Sequence, residues 1–182
     1  MPDIYPPAED SYFLAEVLKK EINKVKNGKI LDMGSGSGIQ AETALSAGIK
    51  PGNITLADLN PEAISYLRRK FPESQVVRSD LFERLDPTEK FDIIAFNPPY
   101  LPEEKFDREM DTSGGEKGSK TINSFLKEAK RFLLPRGMII LLTSSLTKGI
   151  SWESYSKKLV ARKKIFFEEL YVWELRLPKK SF

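Results

Sequence analysis

The apolar run Phe91-Asp92-Ile93-Ile94-Ala95-Phe96 ends in Asn97-Pro98-Pro99-Tyr100. Proline lacks the N–H that a sheet ladder needs, so a pair of prolines marks the end of a strand. Prolines also stiffen the backbone. The four residues therefore offer a fixed amide, a fixed carbonyl and an aromatic ring at one spot. Two readings are open: a loop breaker, or equipment for holding a flat polar group. Three acidic positions raise the same question. Asp32 precedes the alternating Gly34-Ser35-Gly36-Ser37-Gly38, Asp58 lies in Ala57-Asp58-Leu59-Asn60, and Asp80 lies in Ser79-Asp80-Leu81-Phe82.

Alternating glycines permit a tight turn and let a ligand touch the backbone. Ile39 stands where the dinucleotide fingerprint has its third glycine, and no lysine follows as in a phosphate cradle. An acid about 20 residues past the glycines can accept from both ribose hydroxyls. Asp80 could accept from an adenine amino group while Leu81 covers a ring face. Each has a structural alternative: a plain turn for the glycines, a helix cap for Asp58 (Asn60 is better placed for it), a surface turn for Asp80. Taken in order, they suggest a nucleoside-containing cofactor lying across strand ends. Its end near Asp32 should be cationic or uncharged. S-adenosylmethionine, with a ribose, an adenine, an ammonium and a sulfonium, fits.

Composition narrows the chemistry further. The chain has no cysteine and no histidine. That removes thiolate nucleophiles, Ser-His-Asp triads and Cys- or His-ligated metal, and no metal site is expected. Any reaction must use carboxylates, amides, hydroxyls, Lys or Arg, or live in a cofactor. The formal charge of +3 tolerates a nucleic-acid partner without demanding one. The 182 residues, 40% of them hydrophobic, suit one folded domain. No apolar run reaches the 18 residues of a membrane span. The first residues lack a basic region followed by an apolar core, so no secretory leader is expected and the cytoplasm is the expected compartment.

The elements that must position these residues alternate. Helices are expected at Tyr12–Ile22 (capped by Asp10 or Ser11), Gly38–Gly48, Asn60–Phe71 and Ile122–Leu133, the last closed by Pro135-Arg136-Gly137. Strands are expected at Lys29–Gly34, Asn53–Leu59, Ser74–Leu81, Phe91–Phe96 and Met138–Ser145, followed by a terminal strand pair within Lys157–Leu177. Strands separated by single helices imply parallel βαβ units, an open sheet and helices on both faces. Ligands of such sheets bind beyond the carboxyl ends of the strands, where all the residues above fall.

The ordered set Asp32–Gly38, Ala57–Asn60, Ser79–Phe82 and Asn97–Tyr100 resembles the class I S-adenosylmethionine-dependent methyltransferases. Tyr5-Pro6-Pro7-Ala8-Glu9-Asp10-Ser11-Tyr12-Phe13-Leu14 is similar to the opening of the short HemK-related protein glutamine methyltransferases of archaea and eukaryotes. Gly114–Gly118 and Ala161–Val172 look like later segments of that family. The resemblance implies a Rossmann-like sheet of about seven strands, mostly parallel with an antiparallel C-terminal strand. It implies one domain over 1–182: an N-terminal helical cap segment, 1–28, and a catalytic core, 29–182. Cofactor contacts would come from Ser11, Asp32, Gly34, Gly36, Gly38, Asp58, Asp80, Leu81 and Asn97. Glu9 and Asp10, the family's acidic pair, would lie near that pocket, and Gly115 matches the second glycine of the family's pair. One departure shows: the short stretch Ile150–Tyr155 leaves little room for the helix usually found before the sixth strand.

Asn97, Pro98, Pro99 and Tyr100 would be the catalytic residues. The Asn97 side-chain oxygen and the Pro98 carbonyl can each accept one N–H of a target amino group, and Tyr100 can stack on it while Phe96 or Pro99 lines the slot. Without a histidine base, catalysis rests on positioning. The family implies as substrate the glutamine of the Gly-Gly-Gln motif in a class-1 translation release factor. It further implies a small zinc-binding activator subunit, for which the expected edge strand Ser74–Ser79 is a pairing site. The relatives' N-terminal release-factor-binding domain is not expected, because the Tyr5–Leu14 motif stands so near Met1. The alternatives are amino-group methylation of adenine N6 or guanine N2 in nucleic acid, lysine methylation, or a cofactor-binding module without activity. Leu101–Gly118 is expected to form a substrate lip hinged at Gly114 and Gly115.

Overall fold

The structure is a computed structural model and describes residues 6–25, 27–100, 119–166 and 168–178. The expected lip, Leu101–Gly118, therefore lies outside the described residues, as do Tyr5, Gly114 and Gly115. The elements run α1 (Glu9–Ile22), β1 (Ile30–Met33), α2 (Ile39–Ser46), β2 (Ile54–Asp58), α3 (Pro61–Lys70), β3 (Gln75–Arg78), β4 (Phe91–Phe96), α4 (Lys120–Ala129), β5 (Leu133–Ser144), β6 (Ser156–Ile165) and β7 (Glu168–Arg176).

The seven strands form one sheet in the order β3-β2-β1-β4-β5-β7-β6. β3, β2, β1, β4 and β5 are parallel, and β7 is antiparallel to both its neighbours. The central strands are continuous apolar runs because both their faces are covered. Alternation sorts their side chains: Ile30, Ile54, Leu56, Ile93, Ala95, Met138 and Ile140 join one core, and Leu31, Met33, Ala57, Ile94, Phe96, Ile139 and Leu141 the other. The first core is roofed by α1, α2 and Leu67 of α3. The second has α4, together with the Phe82–Leu85 turn and Tyr155. No helix forms among residues 145–155. Tyr155 fills part of that place and donates its hydroxyl to Leu126 O at 2.7 Å. Among the described residues no helix is long and apolar enough to cross a membrane.

Three expectations are corrected. Helix α1 begins at Glu9 behind Ala8, with no side-chain cap hydrogen bond, because the Asp10 carboxylate turns inward to partners described below. Helix α4 ends at Ala129, and β5 starts at Leu133 rather than Met138. Phe91 already pairs with Leu133, after which the register shifts until Ile93 meets Met138. Gly137 permits that shift, since a Cβ there would lie 2.7 Å from the Phe91 carbonyl. Strand β3 stops at Arg78, because the chain turns away at Leu81, whose φ is +46°. Asn60 caps α3 as expected, accepting from Glu62 N–H at 2.9 Å.

Candidate active site

The strand order sets the residues in a row. Along the carboxyl ends lie Asp80 and Leu81 after β3, Asp58 at the end of β2, Asp32 and the glycine loop at β1, and Asn97–Tyr100 after β4. The loop from β1 to α2 turns through Gly34, Gly36 and Gly38, with φ of 62°, 49° and 77°. Two of these glycines have internal reasons as well. A Cβ on Gly38 would come within 2.4 Å of the Phe71 ring, and one on Gly34 within 3.3 Å of Phe96. Asp58 braces the loop. Its Oδ2 accepts from Gly36 N–H at 2.7 Å and its Oδ1 from Asn60 N–H at 2.8 Å. Asp80 is exposed and Leu81 half-buried. Backbone strain of the kind Leu81 carries gathers at ligand sites.

Asp32 is 2% exposed, and its Oδ2 has no hydrogen-bond partner among the described residues. Burial, reinforced by the nearby Asp58 charge, raises its carboxyl from the ordinary 3.8 to about 8, against an opposing hydrogen bond from Ala41. Such a group calls for a donor or a cation.

Asn97 is held from the far end of the chain. Its Nδ2 donates to Asp10 Oδ2 at 3.0 Å and approaches Ser11 Oγ at 3.4 Å. Tyr100 donates its hydroxyl to the same Asp10 oxygen at 3.3 Å. The other oxygen, Oδ1, accepts from Ser11 N–H at 2.7 Å and from its hydroxyl at 3.2 Å. A carboxylate can only accept, so it selects the NH₂ side of the Asn97 amide. The amide oxygen must then face the other way. That oxygen, Oδ1, is buried and has no partner among the described residues. A third buried acceptor, Gln40 Oε1, is likewise unpaired. Gln40 sits in the first turn of α2 and donates its Nε2 to Ser11 O at 3.0 Å. Three buried oxygens at one end of the sheet are thus unpaired among the described residues.

The acidic pair divides. Asp10 is buried against Asn97 and Tyr100, while Glu9 is exposed and pairs with Lys163 at 2.9 Å. Pro98 is buried and Pro99 half-buried. Tyr100 is fixed at both ends, since its carbonyl accepts from Thr147 Oγ1 at 2.9 Å. Phe96 does not line a slot: it lies in the core with its ring 4.5 Å from that of Phe125. Sequence reasoning overlooked Gln40 and the job of Asp10. The available sign was a polar side chain one residue into the buried face of each helix.

The comparisons with known proteins agree with one another. The methyltransferase small domain family matches residues 9–151. A Methanocaldococcus jannaschii protein with the provisional name protein N5-glutamine methyltransferase is 34% identical over 96% of this chain and 93% of its own. The human methyltransferase HEMK2 is 33% identical over 78% of this chain and 72% of its own. Among solved structures, the E. cuniculi Mtq2-Trm112 complex, which methylates the translation termination factor eRF1, superposes with a TM-score of 0.76 at 24% identity, covering 97% of this chain and 99% of that one. The chain is a methyltransferase of the small-domain family and belongs to its short, HemK-related protein glutamine methyltransferase branch.

Proposed function

We propose that this methyltransferase uses S-adenosylmethionine to methylate N5 of the glutamine in the Gly-Gly-Gln motif of a class-1 release factor, in the cytoplasm. The observation that carries the reading is Asn97 Oδ1, a buried acceptor without a partner among the described residues while its own NH₂ is anchored on Asp10. The cofactor supplies an electrophilic methyl group on a sulfonium. Asp32 Oδ2 and Gln40 Oε1 would suit its ammonium, Asp58 at the end of β2 would face its ribose hydroxyls, and Asp80 and Leu81 would take its adenine. Gly34, Gly36 and Gly38 allow close approach of the backbone, and Ser11 lies at the methionine end. In this arrangement residues 1–28 act as a cap on a single catalytic unit, bringing Asp10 and Ser11 to the core.

A primary amide nitrogen is a poor nucleophile because its lone pair is shared with the carbonyl. Asn97 Oδ1 and the Pro98 carbonyl would each accept one of its N–H groups and leave the lone pair facing the methyl donor; as the N–C bond forms the sulfonium S–C bond breaks, its electrons stay on sulfur, and the nitrogen gives up one proton to solvent. Pro99 stiffens the segment, and Tyr100, fixed through Asp10 and Thr147, gives the flat amide a face to stack on. Each such hydrogen bond contributes roughly 1–3 kcal/mol once water is excluded.

An activator subunit has a place to dock. Strand β3 is an edge of the sheet, and Val76 and Val77 on it are half-buried. We assign to this edge, Ser74–Ser79, the pairing of a small zinc-binding partner, in keeping with the E. cuniculi relative solved as a complex. Amide hydrogen exchange of β3 should slow when the partner is added; unchanged exchange there would remove the assignment. The reaction itself is tested with methyl-labelled cofactor and release factor, wild type and with the Gly-Gly-Gln glutamine changed to alanine. Label is expected only in the wild-type factor. Label in both factors, or in neither, sinks the glutamine reading, and label in RNA or DNA would replace it with the nucleobase alternative.

A further inference from the structure

The hairpin joining β6 to β7 carries an aromatic ring where its turn favours none. Ile165 pairs with Glu168, so a short turn that includes Phe166 joins the two strands. Such turns favour Asn-Gly or Gly-Gly, because their central residues take positive φ. Phe166 has φ 47°, a region that bulky residues avoid, and it is 88% exposed. Both features count against the chain alone: the backbone is strained and a large apolar ring faces water.

The turn stands at the catalytic end of the sheet. Strand β7 runs antiparallel to β5, and Ser144 faces Leu170, so the start of β7 lies beside the end of β5. Ser145 N–H donates to the Glu169 carbonyl at 2.8 Å. Thr147, two residues on, holds the Tyr100 carbonyl at 2.9 Å. On the other arm, Lys163 pairs with Glu9 at 2.9 Å, next to Asp10 in sequence. Three residues of extended chain, about 10 Å, separate Lys163 from Phe166.

We propose that Phe166 is a docking wedge for the protein substrate, seated in an apolar recess of the release factor beside its glutamine-bearing loop. The inference rests on the function proposed above. Local charge favours a protein over a nucleic acid. Lys163 is paired with Glu9, Arg162 lies 3.9 Å from Glu169, and Glu168 begins β7. The tip is therefore not the uncompensated basic patch that phosphates need. It is an aromatic ring bordered by balanced charges, the composition of an anchor in a protein–protein contact.

The test is steady-state kinetics on intact release factor with wild type, Phe166→Asn and Phe166→Trp. Asparagine is at home at positive φ, so the first variant should fold with a Tm no lower than wild type. It should raise KM for the release factor about tenfold or more, with kcat within about twofold and cofactor affinity unchanged. Phe166→Trp should stay within about threefold of the wild-type KM. A wild-type KM in Phe166→Asn overturns the wedge, and so does equal impairment of the two variants. A wild-type enzyme that labels nucleic acid, or nothing, fails at the earlier step: it refutes the function before variants are compared, and the wedge with it.

Discussion

Asp10 and Asp32 are both buried carboxylates at the same end of one sheet, yet the chain treats them oppositely. Asp10 sits among donors: the Ser11 N–H and hydroxyl, the Asn97 amide and the Tyr100 hydroxyl. Asp32 keeps one oxygen without a partner among the described residues, and burial raises its carboxyl to about 8. The Asp10 carboxylate is satisfied by the protein's own groups. The Asp32 region is unfinished, and a buried acceptor without a donor is costly unless a ligand supplies one. Under the proposed function, the difference separates a group that holds Asn97 and Tyr100 in place from a group that would receive the cofactor.

Variants can break or sharpen this contrast. The largest effect should come from what the scaffold holds. Asn97→Ala should lower kcat by on the order of 100-fold, because both the acceptor and its aim are lost. Cofactor affinity should change far less, and single-turnover rates measured beside equilibrium binding would show the split. Next come the two carboxylates. Asp10→Asn places an NH₂ group among donors, so it should lower kcat about tenfold or more and cost roughly 1–3 kcal/mol in urea unfolding. Asp32→Asn should instead weaken cofactor binding and leave ligand-free stability intact or improved at pH 8. Equal loss of stability in both variants would erase the distinction.

The titration of Asp32 gives a subtler test. Its carboxyl is held at about 8 in the folded protein against an ordinary 3.8. Between those values the folded chain retains a proton that the unfolded chain has released. The stabilisation from this group is therefore full below the unfolded value and is lost as pH rises through about 8. Between pH 5 and pH 8 the wild type should lose more unfolding free energy than Asp32→Asn does. A cationic cofactor favours the ionised carboxylate, so its binding at pH 7 should release a proton and strengthen toward pH 8. Calorimetry in two buffers of different ionisation enthalpy reads that release; identical heats would count against it. The smallest effect belongs to Gln40→Ala. Loss of one acceptor should raise the cofactor Kd roughly three- to tenfold with kcat nearly unchanged.

Much of the frame was legible. The run Phe91–Phe96 is a strand with the expected bounds, and Asn60 with Pro61 starts α3, because these signals are local. The sheet edge at Ser74–Ser79 and the terminal strand pair also follow expectation. What misled was equally specific. Asp10 near a helix start reads as a cap, since nothing nearby shows its partner Asn97, 87 residues away. Pro135-Arg136-Gly137 reads as a helix stop, yet it lies within β5, because Phe91 on a neighbouring strand pairs upstream of it.

By itself the sequence determined which residues end strands, where the chain can turn, and that no histidine or cysteine does the chemistry. Those properties depend on residue type and spacing. Only the tertiary structure decided that Asp80, Asp58, Asp32 and Asn97 stand in that spatial order, since strand order is set by long-range pairing. It also decided which way the Asn97 amide faces. The oxygen and nitrogen of a carboxamide are nearly equal in shape and opposite in hydrogen-bonding sense. A carboxylate brought in by α1 chooses between them, and that choice leaves an acceptor, rather than a donor, unpaired among the described residues.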